Sequence, residues 1–155
     1  MSMKLGREVI ADVTHAYAEL AGAEESWVVR MARACALQHV PVGLRWGTVV
    51  RRAGSAGRDE NLNLAYMIWY AMESDVAGNP ERAMQIVEVF PPRIRRWMAR
   101  RMCEHSSRSV ALLLESLDRT VRADVLTDLL GGFNDGLAQN RPKVFRTVPT
   151  ESSDT

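Results

Sequence analysis

The chain is poor in several things, and each shortage narrows what it can be. Only two of its 155 residues are cysteine, Cys35 and Cys103, far apart and both on stretches of helical periodicity. A disulfide framework is not expected, and the two read as free, buried thiols. Three histidines, His15, His39 and His105, stand isolated, and with two cysteines they do not complete the set of about four ligands a zinc site needs. A charge excess is also missing. Twenty basic residues against nineteen acidic leave a net charge of +1, so no global field draws the chain to nucleic acid or to an anionic membrane. The longest apolar run, Leu62 to Met72, is broken only by Asn63 and falls well short of the roughly 20 residues of a membrane helix. The opening "MSMKLGREVIADVTHAY" lacks the apolar region of a signal peptide, so as written the chain reads as soluble and cytoplasmic. No Walker loop, dinucleotide fingerprint, nucleophile elbow or HExxH occurs. "GGFNDG" follows a helical stripe and is not a phosphate loop, and Cys103 and His105, two apart on a helix, diverge rather than form a dyad. No catalytic, metal or cofactor residue is assigned.

What is present is helical periodicity. Apolar residues recur at three- and four-residue steps almost throughout, and no segment alternates like a half-buried strand. The spacing predicts a first helix over 7–20, with Val9, Ile10, Val13, Tyr17 and Leu20 inward. A second, over 26–39, turns Trp27, Val28, Met31, Ala34 and Cys35 inward. Pro41 ends it and opens a third with Trp46, Val49 and Val50. The fourth holds the long apolar run, with Asp59 or Asn61 as its cap, and stops at "AGNP". There Gly78 suits a left-handed position, Asn79 an N-cap and Pro80 the first residue of a fifth helix. That helix buries Ala83, Met84, Val87 and Phe90. "FPP" separates it from a sixth over 92–104, "HSS" caps a seventh with Val110, Leu113, Leu114 and Leu117, and an eighth runs from Val121 to Leu137. Gly131 and Gly132 weaken that last helix by about 1 kcal/mol each relative to Ala, and suit a close crossing or a kink. Periodicity is lost from Gln139.

The expected fold is therefore all-α, one domain over 1–140 with a tail over 141–155. "WVVRMARACA" at 27–36 and "RIRRWMARRMC" at 93–103 share a β-branched residue, an Arg and then Met-Ala-Arg. That offset suits about two units of a helical-repeat array, in which each unit buries its apolar face only against its neighbours. The reading is a short HEAT-like stack of about eight helices, with an irregular bundle as the alternative.

A helix apolar on nearly every side must be surrounded, so the fourth is expected at the centre, with Trp69 as a core residue. An aromatic ligand pocket is the other reading of Tyr66, Trp69 and Tyr70. Glu73, four residues after Trp69, lies beside this buried surface and needs a cation. Arg101, four after Trp97 on the inward side of the sixth helix, is the expected partner; a general-acid role is the alternative for Glu73. Arg93, Arg96 and Arg100 share an exposed face. Such a face is either solvated and paired with acids such as Glu81, Glu88 or Asp118, or it meets a nucleic-acid backbone.

The stretch "DENLNLAYMIWYAMESDVAGNPERAMQIVEVFPPRIRRWMARRMCE", with "SWVVRMARACALQHVPVGLRW" before it and "LLGGFNDGLAQNRPK" after it, resembles the HEAT-repeat region of large planctomycete-type proteins, membrane-bound dehydrogenases or haem-binding proteins. The matching pieces are Asp59 to Asn61, Leu62 to Leu64, Ile68 to Glu73, Asn79 to Ala83 and Ile94 to Arg101. The resemblance spans 25–143. In that family the array links a sugar-dehydrogenase-like propeller to a c-type cytochrome module. The Cys-x-x-Cys-His of a covalent haem is not in this sequence, whose nearest approach is "CEH" at Cys103 to His105. The resemblance implies a scaffold without the redox chemistry, exported if the chain is a stretch of such a protein. The expected role is a non-catalytic scaffold that binds a protein partner or neighbouring domains. Alternatives are a nucleic-acid-binding repeat protein, in the style of HEAT-like DNA glycosylases, and an accessory subunit resembling lyase-associated HEAT proteins.

Overall fold

A computed structural model describes residues 26–41, 44–50, 62–120 and 122–144, with side chains to residue 139. The predicted first helix, the 51–61 connection with its candidate caps, and the tail from 145 lie outside the described residues. Helices α1 (Trp27–Leu37), α2 (44–50), α3 (Leu62–Gly78), α4 (Pro80–Ile86), α5 (Pro92–His105), α6 (Ser107–Arg119) and α7 (Ala123–Val144) make up nearly all of them, and no strand occurs among the described residues.

Local chemistry sets the boundaries. The Asn79 carboxamide oxygen accepts the Arg82 N–H at 3.2 Å, and Pro80, which has no N–H to orphan, takes the first position of α4. A 3-10 turn, Val87–Val89, leads to an extended Phe90, and Pro92 starts α5. The Ser106 hydroxyl accepts the Ser109 N–H at 3.2 Å and caps α6.

The helices pack alternately. α3 lies against α1 on one side and α5 on the other, and α5 makes its most extensive contact with α7. α4 packs on α6, while the Trp46 ring of α2 lies 5.7 Å from the Arg82 guanidinium of α4. Helices adjacent in sequence also touch, α3 on α4, α5 on α6 and α6 on α7. Between them lies a continuous core that includes Ile68, Met72 and Val76 of α3, Ile94, Met98 and Met102 of α5, Leu113 of α6 and Leu129 of α7.

The α5–α7 crossing depends on missing side chains. A Cβ at Gly132 would overlap the Arg96 carbonyl oxygen and lie 2.8 Å from the Ala99 Cβ; one at Gly136 would lie 2.6 Å from the Cys103 Cβ. The close crossing expected at Gly132 is present, and Gly136, one turn on, takes part in it. Arg95 locks the same crossing. It is 4% exposed, with Nε 2.7 Å from Asp128 Oδ2 and Nη2 3.3 Å from Asp124 Oδ2.

Some expected inward residues face outward. Trp27 and Val28 are 56% and 57% exposed. Trp27 shares the side of α1 that buries Ala34, but two turns earlier, ahead of the covered stretch. Cys35 is exposed, correcting the expected buried thiol, since it lies one step round α1 from Ala34. Cys103 is half-buried, and its burial, with some help from Glu104, pushes the thiol up to about 11. Leu114, Leu130 and Leu137 are also largely exposed. Gly78 is the last residue of α3 and has no positive φ, so the turn into α4 is made by Asn79 rather than by a left-handed glycine. α7 continues to Val144, past the loss of periodicity at Gln139.

Candidate functional site

α3 is the most apolar helix, and it is enclosed except along one strip. Leu64, Ile68, Trp69, Ala71, Met72, Val76 and Ala77 are buried, whereas Tyr70 is 52% exposed. Tyr66, Tyr70 and Glu73 follow one another at four- and three-residue steps and so share that strip. It borders Trp97, Arg100, Arg101 and Glu104 of α5, and together the two helices line a groove of about 230 Å³.

The groove floor is aromatic. The Tyr66 ring stacks on Trp97 with centroids 4.9 Å apart and planes 18° apart, and on Tyr70 at 6.1 Å and 17°. Trp69 lies behind, 5.9 Å from Trp97 and tilted by 48°. These are offset arrangements of the kind aromatic quadrupoles favour. At one end the rings give way to charge. Arg101 Nε is 3.7 Å from Glu73 Oε1, Arg101 Nη1 is 3.7 Å from Glu104 Oε2, and Arg100 Nε donates to Glu104 Oε1 at 2.9 Å. The Arg101 Nε–H has no hydrogen-bond partner although the atom itself is buried. The groove therefore offers flat apolar faces, carboxylate acceptors and a guanidinium donor still to be satisfied.

The residues singled out from the sequence divide in an informative way. Trp69 is core, 8% exposed, while Trp97 is half-buried beside it. Glu73 and Arg101 approach each other as helical spacing suggested. They do so at the surface, with side chains 40% and 34% exposed, and at a separation that makes an ion pair rather than a hydrogen bond. The inward acid of α3 is instead Asp75, 2% exposed. Its Oδ1 accepts the Ser74 hydroxyl, its Oδ2 has no hydrogen-bond partner, and Arg45 Nε lies 3.8 Å from that oxygen. Burial raises the Asp75 pKa above the usual carboxylate value, against the opposing pull of Arg45 and Ser74. Its signal in the sequence was position: Met72, Asp75 and Val76 are three and four residues apart and share a face.

The three arginines expected on one face are not equivalent. Arg96 forks onto Asp135, with Nε at 2.7 Å from Oδ2 and Nη2 at 3.0 Å from Oδ1. That pairing holds the Asp135 carboxyl below its ordinary range. Arg100 is held by Glu104, and Arg93 is exposed. The acids facing Arg96 and Arg100 are thus Asp135 and Glu104. Of the acids first expected there, Glu81 pairs with Arg108 and Glu88 approaches Arg122.

No group of three His, Cys, Asp or Glu side chains that could hold a metal occurs among the described residues, and no helix among them is long and apolar enough to cross a membrane. No family model, no curated protein and no solved structure matches the chain.

Proposed function

We propose that this protein is a non-catalytic, HEAT-like scaffold that holds a protein partner in the α3–α5 groove. The observation that carries this reading is Tyr70, half-exposed at the end of an aromatic stack on a helix otherwise buried. Tyr, Trp and Arg dominate the residues on which protein interfaces depend, and a rigid ring loses little entropy when it is covered. The contacts of α3 with α1 and α5, of α5 with α7 and of α4 with α6 support the repeat-stack reading, because helices two apart in sequence then lie side by side and bury their apolar sides against their neighbours. The proposed compartment is the cytoplasm, or outside it if the chain is a stretch of a longer exported relative.

The test starts with a photo-crosslinking residue at position 70, and a control at Gln85 on α4. Any protein crosslinked from position 70 alone is then purified and its affinity measured against Tyr70→Ala. A hot-spot loss of about 2 kcal/mol, roughly thirty-fold in Kd, is expected with helix content unchanged. Equal affinity for both proteins would remove the groove from the interface. The nucleic-acid alternative predicts something else: steeply salt-dependent affinity for duplex DNA, lost on Arg96→Ala and Arg100→Ala. The pairing of those arginines with Asp135 and Glu104 reduces the charge they can offer.

A further inference from the structure

The α3–α5 groove has a direction and a length. Tyr66 and Tyr70 precede Glu73 on α3, and Trp97 precedes Arg101 and Glu104 on α5, so the rings lie toward one end and the charges toward the other. Tyr66 and Glu73 are seven positions apart, as are Trp97 and Glu104, which at 1.5 Å per residue is about 10 Å of groove. The ring planes of Trp97 and Tyr70 lie within 18° of that of Tyr66. Near-parallel rings make a flat wall. They do not surround a cation as an aromatic cage does, and Arg100 and Arg101 repel one.

The charges in the groove are matched, two glutamates to two arginines, and Glu104 already accepts from Arg100 at 2.9 Å. What is left over is a donor. The Arg101 guanidinium lies 3.7 Å from Glu73 and from Glu104, beyond hydrogen-bond reach of both, and its side chain is 34% exposed. A neutral groove with flat rings and a spare donor fits a neutral segment with apolar rings and spare acceptors. Backbone conformations differ in what they offer. A helix uses its carbonyls internally, and an extended strand brings an N–H with each carbonyl. A proline-rich segment keeps its carbonyls free, has few N–H groups, and advances about 9 Å in three residues of polyproline II.

We infer that the segment held in this groove is proline-rich and in the polyproline II conformation; this rests on the reading that the groove holds a protein partner. Two prolines three residues apart then span the groove. One packs on the rings of Tyr66, Tyr70 and Trp97, and a carbonyl of the segment accepts from the Arg101 guanidinium. Such a segment is ordered before it binds, so little entropy is lost on docking.

An NMR titration of the full chain with a capped ten-residue oligoproline tests this, with a capped alanine-rich helical peptide and an oligothymidine of equal length as controls. The Trp97 indole N–H signal, assigned by its loss in Trp97→Phe, is expected to shift saturably with oligoproline and with neither control. Tyr70→Phe should keep the response and Tyr70→Ala lose it, both with unchanged circular dichroism. Arg101→Met should weaken it about tenfold, as loss of a charged donor does, and an affinity indifferent to Arg101→Met would overturn the proposed hydrogen bond. Silence toward oligoproline would overturn the inference. It would do so alone where a crosslinked partner still depends on Tyr70, and together with the groove reading where none does. An equal or stronger response to the helical peptide or to oligothymidine would overturn it in favour of a helical segment or of single-stranded nucleic acid.

Discussion

At the scale of single residues, the buried acid Asp75 is the most consequential. A carboxylate enclosed with one oxygen unsatisfied prefers its neutral form, and Arg45, 3.8 Å away and aimed at two carbonyls, only partly offsets that. Its folded-state pKa is raised, so the folded protein binds this proton more tightly than the unfolded chain does. The contribution to stability is complete below the ordinary value of 3.8 and is lost as pH rises through the raised value. Asp124, Asp135 and Glu81 act oppositely. Their pKa values are lowered, so their contributions vanish only as pH falls below the ordinary carboxylate range. Thermal unfolding of wild type and Asp75→Asn across this range should show wild type losing ground to the variant as pH rises above 3.8. Parallel curves would mean that Asp75 has an ordinary pKa. The sequence pointed to Glu73 because it follows Trp69 by one turn, but Trp69 is core while Glu73 falls on the exposed strip with Tyr66 and Tyr70. Asp75 is met by Arg45 of α2, whose approach no helical wheel of α3 can report.

At the scale of elements, the crossing of α5 and α7 turns on Gly132. Its Cβ site is filled by the Arg96 carbonyl, so Gly132→Ala must push two helix backbones apart. Overpacking of this kind costs about 1–3 kcal/mol, against the gain of about 1 kcal/mol that alanine brings to an open helix position. Gly47 of α2, with nothing within 4 Å of its Cβ site, supplies the contrast. Chemical denaturation should therefore find Gly132→Ala destabilised and Gly47→Ala stabilised, and like signs for the two would contradict the close crossing. Most element boundaries were legible because they rest on local chemistry: Asn79 with Pro80, Ser106, and the proline pair before α5. The glycines were legible as anomalies in a helical stripe, yet their partner helix was not. Trp27, Val28 and Leu114 were misread for a related reason. Periodicity identifies a side of a helix but not how far along it the covering surface extends.

At the scale of the whole molecule, α5 is the hub, packed on α3, α6 and α7 and reached by the 3-10 turn before it. Opening it requires its neighbours to separate, whereas α1 can detach from α3 with the remaining stack intact. Native-state hydrogen exchange is thus expected to show the slowest amides around Met98 and Met102, with α1 exchanging earlier through partial unfolding. Uniform protection would imply a single cooperative unit with no weaker end. The all-helical class was legible from periodicity, whereas which helices touch was not. Contacts between helices distant in sequence are set by tertiary packing, and two short matching stretches cannot specify them.

The Arg95 clamp has a consequence for how the chain finds its neighbours. α5 carries five arginines and one glutamate; α3 carries two carboxylates and no base; α7 carries three aspartates and no base between Ala123 and Gln139. A molecule of almost zero net charge is therefore strongly polarised helix by helix, with one cationic element held between two anionic ones. Exchanging α5 with either of these neighbours would place the two anionic helices side by side. The sequence of signs, negative then positive then negative, works as an address that discriminates against mispaired collapse before any side chain has interlocked.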